Sequence, residues 1–154
     1  MIKDIFQKIE ERLKARAYFS GWDFFRSDSD ASTGKQNKAK VPFLRLVFQS
    51  ESSGVALENR IVITHKTCVF KLDATKNGQN TDKDDLSRVL TLQEITNNVE
   101  DAILLVSGGQ FLDLNYISNI RILSEFSEIE APAVIENIAI SFKIEVEYYR
   151  RPQA

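Results

Sequence analysis

The feature that most constrains this sequence is an unbroken alternation of apolar and mostly polar residues over positions 138–149. The apolar positions are Ile138, Ile140, Phe142, Ile144, Val146 and Tyr148. The intervening positions are Ala139, Ser141, Lys143, Glu145, Glu147 and Tyr149. Side chains along a β-strand point to opposite faces in turn. The pattern therefore predicts one long strand with a buried face and a solvent-facing face.

Length and composition indicate a single globular domain. A chain of 154 residues is long enough for one sizeable core and too short for two ordinary domains, so we expect one domain over 1–154. The longest wholly apolar run is residues 102–106, far below the roughly 20 residues that span a bilayer. The first residues are amphipathic and charged, so we expect no signal peptide and synthesis in the cytoplasm. A single cysteine, Cys68, excludes an intrachain disulfide.

Charge is unevenly distributed along the chain although the net charge is only −2. Residues 1–48 carry ten Lys/Arg against six Asp/Glu, whereas residues 91–149 carry two against ten. One interpretation is ordinary solvated surface. The other is head-to-tail self-association, in which a basic surface of one copy meets an acidic surface of the next.

The first half of the chain predicts a helix followed by two strands. Apolar residues at spacings of three and four, from Ile2 to Leu13, predict an amphipathic helix ending near Arg16. An aromatic stretch over 18–25 leads to a polar segment, which predicts a mobile loop at about 26–41. Residues 43–48 and 59–72 then read as strands, separated by a Ser/Gly turn. A second mobile loop is predicted at about 73–88.

The second half predicts a helix followed by two further strands. Thr91 and Glu94 have the spacing of a capping box, an apolar stripe runs from Leu92 to Val106, and Gly108–Gly109 supplies a stop. Residues 119–126 and the strand over 138–149 follow, and they are expected to pair. The predicted fold class is α+β, a mostly antiparallel sheet of about four strands with two helices packed on one face.

The candidate nucleophiles and acid–base groups do not form a catalytic set. His65 is the only histidine, and alternation along its strand sends His65 and Cys68 to opposite faces. A nucleophile needs a base within hydrogen-bond reach, so this pair is not expected to be catalytic. Glu145 and Glu147 share a face with Lys143, which is typical of a solvated or ring-lining surface. We therefore expect no catalytic or cofactor-binding residue, and no enzyme.

One loop has part of the pattern of a calcium site. Asp73, Thr75 and Asn77 alternate as oxygen ligands, Gly78 takes the sixth position and Asp84 the twelfth. The last position has Asp instead of a bidentate Glu, and the preceding segment is a predicted strand. A solvated turn is the preferred interpretation, so no metal ligand is assigned, and cation binding by residues 73–84 stays open.

In its order of elements, the chain resembles the tail terminator proteins of long-tailed bacteriophages and prophages. The resemblance rests on the short N-terminal helix, the Pro-led strand over 41–48, the middle helix over 92–106 and a final strand that closes in Val146-Glu-Tyr-Tyr149. It spans nearly the whole chain, without a specific motif. The polar insertion at 26–40 departs from the usual pattern.

The resemblance implies a structural virion protein of the tail and neck, typically a ring of six subunits. Such a ring caps the tail tube and gives the head a docking surface. The implied partners are other copies of the chain, the tail-tube protein, a head-completion or neck protein, and DNA that passes through the channel without specific binding. The candidate assembly or channel face comprises Lys143, Glu145, Glu147, Arg150 and Arg151. The alternatives are another neck or tail component, such as a head-completion or tail-tube protein, and a small bacterial binding module.

Overall fold

The computed structural model describes residues 1–26, 42–58, 61–77, 85–125 and 137–150. Within these ranges the chain forms two α-helices and five strands. Helix α1 spans Ile2–Ala15 and α2 spans Asp85–Leu104, with a short 3-10 helix at Ala17–Phe19. The strands are β1 (Asp23–Phe25), β2 (Phe43–Glu58), β3 (Ile61–Asn77), β4 (Ile117–Glu125) and β5 (Asn137–Arg150).

The strands form one mixed sheet in the order β1-β2-β3-β5-β4. Strands β2 to β5 pair antiparallel, and β4 and β5 are neighbours as expected. The α+β class is confirmed. The expectation of about four strands missed β1, a three-residue strand that pairs parallel to β2 through Asp23 and Phe43. Its partner lies 20 residues away, so the local sequence contains no signal for the pairing.

The predicted faces of β5 are confirmed. The six apolar residues from Ile138 to Tyr148 are each 4% exposed or less. Both helices pack against this face and extend the same core, with Ile5, Ile9 and Leu13 of α1 fully buried. From α2 the core takes Leu92, Ile95, Val99, Ala102 and Ile103. None of the helices described is long and apolar enough to cross a membrane.

Strand β2 is longer than predicted, and the predicted Ser/Gly turn is wrong. The polar residues after Phe48 continue the strand because they pair with β3 through Thr67 and Cys68. The register shifts between Phe48 and Ser50, which marks a β-bulge. Beyond this bulge Glu51 moves onto the face of the sheet that carries the helices.

Helix α2 begins at Asp85, seven residues before the predicted first helical residue Leu92, so the capping-box prediction is wrong. Thr91 lies inside the helix and not at its start. One turn further on, the Thr96 hydroxyl donates a hydrogen bond to the Leu92 carbonyl at 2.8 Å. The helix ends at Leu104, before the two glycines. Gly108 and Gly109 have φ of 60° and 75° in a tight turn closed by a bridge between Ser107 and Gln110.

The two predicted mobile loops fall largely outside the described residues. Of the loop at about 26–41, the structure describes only Arg26, which forms an ion pair with Glu10. Residues 27–41 lie outside the described ranges. The loop at about 73–88 was predicted too long. Residues 73–77 belong to β3 and residues 85–88 to α2, while residues 78–84 lie outside the described ranges.

Candidate functional site

The face of the sheet that points away from the helices carries most of the predicted assembly residues. We call it the open face. Its side chains alternate with core residues along β2 to β5, and the strand register places them in rows. The charged or exposed members used below are Asp23, Arg45, Lys71, Asp73, Arg121, Leu123, Ser141, Lys143, Glu145 and Glu147.

A buried carboxylate, Asp73, anchors one end of the open face. Its residue is 8% exposed. One carboxylate oxygen accepts hydrogen bonds from Arg45 Nε at 3.2 Å and Nη2 at 2.8 Å, and the other accepts from Ser141 Oγ at 2.6 Å. A half-buried arginine and a hydroxyl therefore compensate the cost of burying this charge. Because both oxygens are engaged, Asp73 is a poor first ligand for the calcium loop considered above.

Glu145 is neutralised by two cations on the same face. Arg121 donates to Glu145 Oε2 from Nε at 3.1 Å and from Nη2 at 2.8 Å, and Lys143 Nζ lies 3.2 Å from Oε1. The hydrogen bond from Lys143 and the contact with Arg121 lower the pKa of Glu145 despite its partial desolvation. The predicted face residue is thus ionised and paired, with Arg121 of β4 as a partner that the β5 sequence alone does not reveal.

The remaining predicted face residues are at the far end of β5. Glu147 is exposed on the open face, and its backbone carbonyl accepts a hydrogen bond from Ser118 Oγ at 3.1 Å. Arg150 is exposed and sits opposite Thr64 of β3 in the register. Arg151 lies outside the described residues. The structure therefore brings Lys143, Glu145 and Glu147 together on one face and places Arg150 at the end of the sheet.

Lys71 and Lys143 are direct cross-strand partners at the centre of the open face. Like charges in this arrangement repel one another. The two ammonium groups lean apart, toward Asp73 at 3.8 Å and Glu145 at 3.2 Å. Because arginines already neutralise both carboxylates, the lysines leave surplus positive charge. A cavity of about 300 Å³ opens between them, lined also by Gln49, Leu123 and Ser141.

The open face as a whole is therefore not acidic, although β5 alone contributes two glutamates and one lysine to it. Among the side chains that the structure describes there, four cations face four carboxylates: Arg45, Lys71, Arg121 and Lys143 against Asp23, Asp73, Glu145 and Glu147. The cations come from β2, β3 and β4 as well as from β5. This balance removes the electrostatic repulsion that a DNA-lining acidic face would need.

Some of the basic residues of the first segment form ion pairs with acidic residues of the last segment within one copy. Arg12 of α1 bonds Asp113 at 3.1 Å and the carbonyl of Leu105, and Arg16 bonds Asp101 at 3.2 Å. These contacts join the basic first segment to the acidic last one. Glu94 and Glu100 of α2, in contrast, make no ion pair with any described residue.

Around Glu100 the helix layer presents an acidic and apolar surface. A cavity of about 420 Å³ is lined by Arg16, Glu100, Asp101, Leu104 and Leu105. Leu105 is 63% exposed, and the adjacent Val106 is 46% exposed. We call this surface the α2 patch. A soluble chain normally exposes single apolar residues, but two adjacent ones beside an unpaired carboxylate form a candidate contact surface.

A polar cluster fixes the hairpin of β2 and β3 to β5. The Tyr148 hydroxyl donates to Glu51 Oε1, and Lys66 Nζ lies 3.4 Å from the same oxygen. The hydrogen bond from Tyr148 lowers the pKa of Glu51. Burial and the charge of Glu51 raise the pKa of Tyr148. The cluster was not predicted, because the bulge after Phe48 is what brings Glu51 to this face.

Cys68 and His65 occupy opposite faces, as predicted. Cys68 is fully buried, and desolvation raises the pKa of its thiol to about 12. The thiolate, which is the nucleophilic form, is therefore scarce at neutral pH. His65 is exposed and lies between Gly54 and Tyr149 in the register. Within the described ranges, no group of three His, Cys, Asp or Glu side chains is placed to hold a metal ion.

Glu10 of α1 is a further buried charge that the sequence did not single out. Its residue is 6% exposed. Arg26 donates to both of its oxygens, at 3.0 and 2.9 Å, and Lys14 donates at 2.8 Å. Burial acts to raise the pKa of Glu10, but the bonds from Arg26 and Lys14 outweigh it, so the pKa is lowered. This bridge fastens the aromatic segment after α1 to the helix.

Comparison with known proteins assigns no family to this chain and no role to these surfaces. The sequence matches no protein-family model and no curated protein.

Proposed function

We propose that this chain is a structural, non-catalytic subunit of a bacteriophage or prophage particle, a tail terminator. In this role copies form a ring that caps the tail tube and joins the tail to the head. Its partners are further copies of itself, the tail-tube protein and a head-completion or neck protein. It resides in the virion, at the tail and neck, and DNA passes through the ring without specific binding.

The observation that carries this proposal is the length of the β2–β3 hairpin. Among the described residues, strand β5 pairs with β3 as far as Thr64, whereas β2 and β3 stay paired to Glu58 and Ile61. Residues 55–58 and 61–64 therefore form the end of the described sheet, and residues 56–58 and 61–63 lie past its last pair with β5, which is Thr64 opposite Arg150. We call residues 55–58 and 61–64 the arm. Val55, at the base of the arm, is 74% exposed.

The β2 edge beside the arm is also available for pairing. Strand β1 covers only Phe43 to Arg45, so among the described residues the rest of β2 has no strand on its outer side. Unpaired edges are templates for a further strand from another chain. The bulge after Phe48 and the charge of Glu51 limit indiscriminate pairing. A neighbouring copy that covers this edge would supply one heterologous contact of a ring.

The surfaces are unlike one another, which favours a closed ring over a twofold dimer. The arm and the open β2 edge lie at one side of the sheet, β4 lies at the other, and the α2 patch lies on the helix layer. Contacts between unlike surfaces are heterologous, and they generate a ring when the rotation closes. The order of elements that resembles tail terminators is consistent with this arrangement.

Electron microscopy of the purified chain, alone and mixed with phage tail tubes, tests the proposal. Rings with a central opening, bound at one end of the tubes, are the expected result. The variant Val55→Asp puts a charge at the base of the arm without disturbing the core, and it should reduce ring formation relative to the wild type. Single particles without an opening, together with unoccupied tube ends, would contradict the proposed function.

A further inference from the structure

Two exposed surfaces of this chain have matching composition and opposite charge. On the open face, Leu123 is 40% exposed and lines a cavity with Lys71 and Lys143. On the α2 patch, Leu105 is 63% exposed and lines a cavity with Glu100 and Asp101. Each surface thus has an apolar side chain beside two like charges, which are positive on the open face and negative on the α2 patch. On the α2 patch, Arg16 also lines the cavity and pairs with Asp101.

The charges at the centre of each surface are only partly compensated within one copy. Lys71 Nζ lies 3.8 Å from Asp73 and Lys143 Nζ lies 3.2 Å from Glu145, but each of these carboxylates also binds an arginine. Lys71 and Lys143 repel each other across the strands, and Arg45 and Arg121 already neutralise the carboxylates beside them. Glu100 makes no ion pair with the described residues, and its neighbour Asp101 is held by Arg16. A carboxylate from another molecule, placed between the lysines, would relieve their repulsion.

The two surfaces belong to different layers of the fold. The lysines lie on the face of the sheet that points away from the helices, whereas Glu100 and Leu105 lie on the helix layer. One copy therefore cannot bring its own patch onto its own open face. The contact has to be made between copies, and each copy keeps one surface of each kind for the next neighbour.

We propose that the α2 patch of one copy docks onto the Lys71–Lys143 site of the next, with Leu105 against Leu123 and Glu100 between the lysines. The occupant of the open face is thus a second copy of this chain. This inference rests on the proposed ring and adds a second contact between its copies, besides the one at the arm and the β2 edge. It also assigns Lys143 and Glu145 to an interface between copies instead of to a channel wall.

A charge exchange tests the contact through sedimentation velocity over a range of concentrations. Lys71→Glu and Glu100→Lys should each raise the dissociation constant for self-association by about tenfold or more. The double variant, in which the exchanged charges again attract, should return to within a few-fold of the wild-type value. Lys71→Gln, which removes the charge without reversing it, should have a smaller effect in the same direction.

Lys3→Glu is the matched control, because it makes the same charge change at an exposed position of α1 that lies outside both surfaces. It should leave the dissociation constant unchanged, and circular dichroism should show that every variant is folded. Wild-type association that is insensitive to all the exchanges would overturn this contact and leave the ring intact. A wild-type chain that stays monomeric at every concentration would overturn the ring itself.

Discussion

The Tyr148 hydroxyl donates a hydrogen bond to Glu51, and this contact joins the last strand to the hairpin that carries the arm. Tyr148 is 2% exposed, and the Glu51 side chain is 25% exposed. The bond thus lies at the border between the core and the projecting hairpin.

Replacing Tyr148 by Phe removes this hydrogen bond and keeps the aromatic side chain in the core. We expect the free energy of unfolding to fall by about 1–3 kcal/mol, because a partly buried carboxylate loses its donor. Urea denaturation measures the change. Tyr149→Phe on the exposed side of the same strand is the control and should be nearly neutral. A loss of equal size in both variants would show that the bond has no specific role.

The same bond predicts an acid-dependent stability. It lowers the pKa of Glu51 below the usual 4.5, so the folded state binds this proton less readily than the unfolded state. The contribution of Glu51 is present above about pH 4.5 and is lost as the pH falls through the lowered pKa of the folded state. The difference in stability between wild type and Tyr148→Phe should shrink below that pH. A difference independent of pH would contradict the assignment.

The alternation in β5 predicts a large contrast between adjacent residues. Phe142 is 1% exposed, whereas the Lys143 side chain is 52% exposed. Phe142→Ala should destabilise the fold by about 3–5 kcal/mol, because it leaves a cavity in the core. Lys143→Ala should cost less than about 1 kcal/mol. Thermal denaturation compares them, and similar losses would mean that the two faces are wrongly assigned.

The Arg45–Asp73 pair should be worth more than an ion pair on the helix layer. Asp73→Asn breaks a largely buried network with Arg45 and Ser141, so we expect a loss of about 3–5 kcal/mol. Asp101→Asn makes the same chemical change where Asp101 is 62% exposed and Arg16 is 39% exposed. Its cost should be about 0–1 kcal/mol. Chemical denaturation measures the free energy of unfolding of both variants. Equal losses would mean that the Arg45–Asp73–Ser141 network contributes no more than an exposed ion pair.

Cys68 should be unreactive in the folded protein. Its thiol is fully buried, and its pKa is raised to about 12. Iodoacetamide at pH 8 should label it only in urea, since a thiol reacts as its thiolate and must be accessible. Mass spectrometry measures the labelled fraction. Rapid labelling in native buffer would show that the β3 core opens readily.

The local pattern was sufficient for β5 and for the buried stripe of α1, because burial of one face imposes the period on the residues themselves. It failed where pairing is non-local. Ser50 to Ser53 look like a turn, yet β3 holds them in a strand; β1 exists only because β2 lies beside it. For the same reason, the Arg121 partner of Glu145 was not predictable, because it lies 24 residues away and meets Glu145 through the strand register.

The charge counts of the sequence also could not predict pairings between distant residues. The sequence shows a basic first segment and an acidic last one, but it cannot show that Arg12 and Arg16 use their charges within the chain. Only the fold distinguishes those pairs from Glu100, which makes no ion pair with the described residues, and from Lys71, which shares its carboxylate partner Asp73 with Arg45.

The proposed ring is tested most directly by native mass spectrometry of the full chain at several concentrations. The subunit mass is 17.6 kDa. We expect a closed assembly of about six subunits, near 106 kDa, without a ladder of larger species, because a ring uses all of its heterologous surfaces. A single species at 17.6 kDa over the whole range would contradict the account.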